Sequence, residues 1–191
     1  SEAKEYTIAI DAQDAANTYS SALMYFTVRD VEVTITNIKI NPGASGETTT
    51  AVNTSGTFSP NFDGAFGGVT LEEGGIYTFP GSAESWAGWA NNNAEIYPLG
   101  FPNGGTITFT ASAAADAGIY FRFERLPYDE NDSNATEPSF NTETITISGE
   151  TATEYTVTIE AQDAANTYSS ALMYLTTRDV AVTITDIKIN L

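Results

Sequence analysis

Apolar and polar residues alternate with a period of two along most of the chain, and helical periodicity is hard to find. Thr106–Thr110 directs Ile107 and Phe109 to one side. Ile119–Glu124 directs Ile119, Phe121 and Phe123 to one face and Tyr120, Arg122 and Glu124 to the other. Thr144–Ser148 is predicted to bury Ile145 and Ile147, and Tyr155–Ile159 to bury Tyr155, Val157 and Ile159. Val180–Ile184 buries Val180, Val182 and Ile184, after which the apolar phase slips to Ile187 and Ile189. A slip of one residue exchanges the two faces, which predicts a β-bulge at Thr185–Asp186. The same slip occurs at Thr36–Asn37. Gly74–Phe79 and Ser85–Ala90 read as further strands, separated by turns at Pro80-Gly81, Pro102–Gly105 and Ser148-Gly149. The stretch AQDAANTYSSALMY opens as a short helical turn and ends as a strand. Many short strands without a long helix predict an all-β fold, an antiparallel β-sandwich of the jelly-roll kind.

An internal repeat sets the organisation. Residues Glu5–Asn41 and Glu154–Asn190 match at 30 of 37 positions with an offset of 149, and Gln13–Tyr25 is identical to Gln162–Tyr174. The substitutions are mild: Ile8/Val157, Ala9/Thr158, Asp11/Glu160, Phe26/Leu175, Val28/Thr177, Glu32/Ala181 and Asn37/Asp186. The period is too long for a solenoid and suits a whole sandwich module. The expected division is therefore 1–41 as the last three strands of a preceding repeat, 42–55 as a linker, and 56–191 as the β-sandwich module. The linker reading rests on the small, polar, Gly/Pro/Thr-rich run NPGASGETTTAVNTS. A tandem parent with a cut inside one module is the expectation that follows. Three strands alone bury too little to be stable, and the body has one slot for a unit the chain carries twice. Three arrangements follow: the N-terminal copy takes the slot, the C-terminal copy takes it while the other serves a neighbouring molecule, or the spare copy lies against the outside. Domain swapping and head-to-tail assembly with neighbouring copies are thus open.

Composition narrows the chemistry. Twenty-five acidic residues against seven basic ones give a net charge of −18 over 191 residues. That balance argues against a nucleic acid or an anionic membrane as partner, since both require clustered Lys and Arg. No stretch of about 18 apolar residues is present, so no membrane insertion is expected. No leader of signal-peptide type stands at Ser1, and the chain reads as a mature or excised piece. Histidine and cysteine are both absent. Their absence excludes His acid–base catalysis, thiolate nucleophiles, zinc-thiolate sites and disulfides. What remains is carboxylate, Ser/Lys or Tyr chemistry and oxygen-ligated calcium or magnesium.

Three segments carry candidate chemistry. In SWAGWANNN, Trp86 and Trp89 are the only tryptophans, and a spacing of three on a strand places them on opposite faces. One indole then belongs to the core and the other is free. A free indole can stack on the apolar C–H face of a sugar while Asn91 and Asn92 take hydroxyls. The alternative is that both tryptophans pack and the asparagines form a turn. Tyr120, Arg122 and Glu124, followed by Arg125 and Tyr128, form a polar-aromatic face; the alternative is a set of cross-strand salt bridges. In YDENDSNATEPSFN, Asp129, Asn131 and Ser133 alternate as oxygen ligands do in calcium loops, with Asp132 adjacent. Asn134 stands where an EF-hand has Gly, and a solvated acidic loop is the competing reading. Glu84, Glu95 and Glu124 lie near aromatics but are a weak signal for a hydrolytic carboxylate pair. Asn53-Thr54-Ser55 and Asn134-Ala135-Thr136 match the glycosylation sequon.

The order of FDGAFGG, SWAGWANNN, YPLGFPNGGTITFTAS, IYFRFERLPY and the closing strands over residues 58–190 resembles β-sandwich carbohydrate-binding modules of secreted bacterial polysaccharide-degrading proteins, in particular the jelly-roll modules of marine β-glucan-degrading systems. The resemblance implies a non-catalytic, extracellular or cell-surface, glycan-binding module, sometimes with structural calcium. By it, Trp86, Trp89, Tyr120 and Arg122 are ligand contacts. The close tail repeat departs from that pattern and supports the alternative, a structural repeat of a surface adhesin or filament assembled by strand complementation.

Overall fold

The computed structural model describes residues 51–132 and 134–191, together with ten scattered positions among residues 1–50. The expected strands of the first repeat unit, its slip at Thr36–Asn37 and most of the 42–55 segment lie outside the described residues. The chain divides into two compact units, Ser1–Pro42 and Gly43–Leu191. The strands of the second unit are β1 (Thr57–Phe58), β2 (Gly64–Phe66), β3 (Thr70–Glu72), β4 (Ile76–Thr78), β5 (Gly88–Ala90), β6 (Gly105–Ala113), β7 (Ala117–Glu124), β8 (Ser139–Asn141), β9 (Ile145–Ile147), β10 (Thr153–Ile159), β11 (Ser170–Leu175) and β12 (Ala181–Asn190). A short 3₁₀ turn, Ala94–Ile96, follows β5.

Two six-stranded antiparallel sheets form the sandwich. The first runs β10-β6-β12-β4-β3, with β1 on β12; the second runs β2-β5-β11-β7-β8, with β9 on β7. Alternation decides which side chains enter the space between them. Ile107 and Phe109 of β6 face Ile119, Phe121 and Phe123 of β7, and all five are at most 1% exposed. Burying each such side chain contributes roughly 1.5–3 kcal/mol. Val182, Ile184 and Ile189 of β12 and Met173 of β11 complete the same core.

The slip read at Thr185–Asp186 is present. On β12, Thr185 pairs with Thr110, and the next pair is Lys188 with Thr108, so one extra residue is inserted opposite β6. Asp186 takes a left-handed conformation, φ 55°. The bulge restores Ile189 to the core after the phase changes.

One expectation needs correction. Ser85–Ala90 is not one strand: residues 85–86 form a turn, and only Gly88–Ala90 pairs. The stretch after β10 opens with a single turn, in which Asn166 N–H donates to the Asp163 carbonyl, and ends in β11. Hydrogen bonds to the module reach back to Asn53. Asn53 donates its backbone N–H to the Pro98 carbonyl and its side-chain amide to the Ile96 carbonyl, and it accepts from Gly100 N–H. That amide nitrogen of the first sequon is therefore occupied in the folded module.

The repeat unit 154–190 is built into both sheets. It supplies β10 almost entirely, and all of β11 and β12. β12 lies between β6 and β4, and β11 lies between β5 and β7.

Candidate functional site

The outer face of the second sheet carries a row of aromatic rings. On β7 and β11 the odd-numbered positions fill the core, so Tyr120, Arg122 and Glu124, and Ser170, Leu172 and Tyr174, point outward. Strand register puts Tyr120 directly opposite Tyr174. Their rings stack at 5.0 Å with an interplanar angle of 11°. Tyr174 meets Phe66 of β2 edge to face at 6.1 Å, and Phe66 stacks on Trp86 at 6.1 Å and 9°. Trp86 is 60% exposed. An open cleft of about 770 Å³ is lined by Phe66, Trp86, Leu172 and Tyr174 of this face, together with Glu124 and Tyr128.

Two glycines make the row possible. Gly88 of β5 pairs with Phe66, and a Cβ there would lie 2.8 Å from ring carbons of Tyr174. The absent side chain lets Tyr174 lie down across β5. Gly67, at φ 69°, has no room for a Cβ, which would fall 2.6 Å from the Ala87 methyl and 3.0 Å from the Trp86 ring.

The loop that carries Trp86 is held from the side of β11. Arg178 donates through one guanidinium nitrogen to the carbonyls of Pro80, Gly81 and Ala83, at 2.8, 3.1 and 2.9 Å. The same guanidinium lies 4.0 Å over the Phe79 ring. Asp179 accepts from Gly81 N–H at 2.7 Å. Neither residue was marked by sequence pattern, because each acts on a segment about a hundred positions away.

Beyond Tyr120 the face turns polar. Arg122 donates from Nε to Glu124 Oε1 at 2.6 Å, and from its terminal nitrogens to Ser139 Oγ at 2.7 Å and Asn141 Oδ1 at 3.2 Å. Glu124 is 6% exposed. Burial raises the Tyr174 phenol to about 12, and the Glu124 carboxylate and neighbouring Tyr120 add to the rise. Burial also raises Tyr120, against the pull of Arg122. Both phenols are therefore neutral hydrogen-bond donors at physiological pH.

The other residues singled out from sequence are placed as follows. Trp89 is fully buried and meets Tyr77 edge to face at 5.3 Å, so it is not on the ligand-accessible surface. Its indole nitrogen is a buried polar atom without a partner among the described residues. The opposition of the two indoles holds, but a turn creates it and not a strand. Asn91 is committed to its own turn: Oδ1 accepts from Asn61 N–H and Asn93 N–H, and Nδ2 donates to the Asn93 carbonyl and the Tyr97 hydroxyl. Asn92 donates to Asp63 at 2.7 Å. The asparagine cluster thus ties β2 to β5 instead of facing the cleft. Tyr128 is 72% exposed beside the cleft. Asp129 Oδ1 accepts from the backbone and side-chain amides of Asn131, and Asp132 Oδ1 accepts from Asn134 N–H. Ser133 lies outside the described residues. Phe66, Leu172 and Tyr174 line the cleft and are candidate site residues that the sequence reading missed.

No family model matches the chain, and no curated protein matches it in sequence. Among solved structures it is similar to the CBM22-1 xylan-binding domain of Xyn10C from Paenibacillus barcinonensis, at 17% identity and a TM-score of 0.47, over 74% of this chain and 97% of that one. It is also similar to CBM29_1, a family 29 carbohydrate-binding module from Piromyces equi, at 16% identity and a TM-score of 0.44, over 72% and 86% of the two chains. At these values the likeness is one of fold outline.

Proposed function

We propose that the outer face of the second sheet binds an extracellular polysaccharide without cleaving it. The observation that carries this reading is the row of Trp86, Phe66 and Tyr174 lining an open cleft, with Tyr120 stacked on Tyr174 next to it. Flat rings in water attract the C–H faces of sugars, and an open groove admits a chain in its middle as well as at its end. The row continues through three ring-to-ring steps of 5.0–6.1 Å, longer than one sugar ring. Among the cleft residues, Glu124 supplies acceptors and Tyr174 a neutral phenol for ring hydroxyls. Glu124 is the one carboxylate lining the cleft among the described residues, whereas the common two-carboxylate glycosidases need a pair.

A β-linked neutral glucan is the preferred ligand. Its equatorial hydroxyls leave flat apolar faces for stacking, and a chain of net charge −18 disfavours uronate or sulfated polymers. Affinity electrophoresis through gels containing β-glucan or xylan tests the proposal. Retardation that Trp86→Ala removes supports it; free migration of the parent on every neutral polysaccharide overturns it. The protein is read as secreted or displayed at a cell surface, in a parent that repeats the module in tandem. Linked copies would raise avidity through effective concentration. Calcium held by Asp129, Asn131 and Asp132 is a separate part of the reading. It is checked by a melting temperature that rises in calcium and falls back in chelator.

A further inference from the structure

The unit 154–190 cannot be removed without opening both sheets, since β12 and β11 are interior strands. Its core side chains Met173, Val182 and Ile184 are at most 2% exposed. Their counterparts in the first copy are Met24, Val33 and Ile35, which are 59%, 51% and 43% exposed. Among the described residues, these three counterparts of core side chains are exposed.

The seven substitutions between the copies can be judged against the seated unit. Positions 158, 160, 181 and 186 are exposed, so Ala9, Asp11, Glu32 and Asn37 would meet solvent there. Asn37 would take the left-handed conformation of Asp186, φ 55°, which asparagine tolerates. Ile8 in place of Val157 and Phe26 in place of Leu175 enlarge two buried side chains. Val28 in place of Thr177 loses the hydroxyl that accepts from Gly118 N–H at 3.2 Å. Mild overpacking and one lost hydrogen bond disfavour the first copy without barring it. The connection is also feasible. Asn190 pairs with Thr57 across β12 and β1, so after a seated Asn41 residues 43–52 would turn back to the anchored Asn53, while Pro42 in place of Leu191 forfeits the N–H that donates to the Gly56 carbonyl. Closing a loop of that length is cheap.

We propose that residues 5–41 are an alternative occupant of this slot in their own chain. The module then closes either through its C-terminal unit or, as a circular permutant, through its N-terminal one. The two closures leave opposite ends of the chain free. The aromatic row survives the exchange, because Ser170, Leu172 and Tyr174 have identical counterparts in Ser21, Leu23 and Tyr25.

The test uses the full chain. Ile184→Asp places a charge in the core and unseats the C-terminal unit. With exchange, this variant keeps one cooperative melting transition, lowered by about 5–10 °C, and stays monomeric in light scattering. Ile35→Asp alone leaves the melt unchanged, and the two substitutions together abolish it. If Ile184→Asp loses the transition as completely as the double variant, the proposal falls. A trap gives an independent readout, since the chain has no cysteine. Thr183 pairs with Ser112, and Thr34 is its counterpart. In the Ile184→Asp background, Thr34→Cys with Ser112→Cys is expected to give an intrachain disulfide. A crosslinked dimer, or persistence of the link between Thr183→Cys and Ser112→Cys, overturns exchange within the chain.

Discussion

Trp86 and Trp89 share a residue type and stand three positions apart, yet they do different work. Trp86 stands on a turn, 60% exposed, while Trp89 is fully buried against Tyr77. Trp86→Ala is expected to weaken polysaccharide binding about tenfold, corresponding to about 1.4 kcal/mol, and to leave the melting temperature within a few degrees. Trp89→Ala is expected to cost about 3–5 kcal/mol of stability. Calorimetric titration and urea unfolding separate the two. Tyr174 adds a pH signature. Below pH 10 its phenol is protonated whether the chain is folded or not. Above pH 10 the unfolded chain ionises while the folded phenol, raised to about 12, does not, so stability falls as pH rises through that window. Urea midpoints measured from pH 9 to 11 are expected to fall less steeply in Tyr174→Phe; an identical slope would contradict the shift.

At the level of elements, the bulge in β12 and the clamp on the loop before β5 do the positioning. Asp186 sits at φ 55°, where a β-branched side chain is strained. Asp186→Val should destabilise the module by about 1–2 kcal/mol, and Asp186→Gly should be neutral or stabilising, as read from thermal melts. Arg178 holds three carbonyls of the loop that presents Trp86. Arg178→Ala should lower stability by about 2 kcal/mol and weaken binding as well. Arg178→Lys should recover only part of either, because an ammonium lacks the planar contact with Phe79. Binding that stays unchanged in Arg178→Ala would show that the Trp86 loop holds its place without the clamp.

For the molecule as a whole, charge and site chemistry point in different directions. The net charge of −18 is a long-range property, while the aromatic row recognises its ligand at contact. Binding of a neutral glycan is therefore expected to change less than twofold between low and physiological salt, because salt screens charge interactions and leaves stacking intact. A steep salt dependence would mean that charged groups carry the affinity. Much of the fold was legible in advance. Ile107 and Phe109, then Ile119, Phe121 and Phe123, mark the core by alternation alone, and the phase change after Ile184 marks the bulge. The site was half legible. Tyr120 and Arg122 stood out as the outward face of an obvious strand. Phe66 and Tyr174 did not, because they look like ordinary strand aromatics until β2, β5, β11 and β7 are laid side by side. Asn91 and Asn92 misled for a local reason: a short amide side chain satisfies backbone turns as readily as it does a sugar.

Local chemistry, read from the sequence by itself, determined the all-β character, the inward face of each long strand, the bulge, the exclusion of histidine and cysteine chemistry, and the duplicated unit. These depend on a period of two, on residue inventory and on identity between segments, all of which are properties of the chain. Only the tertiary structure decided which indole meets solvent, which side chains line up beside it, and how the C-terminal unit inserts into both sheets. Those outcomes depend on strand order, which brings residues 66, 86, 120 and 174 to one face although no spacing along the chain relates them.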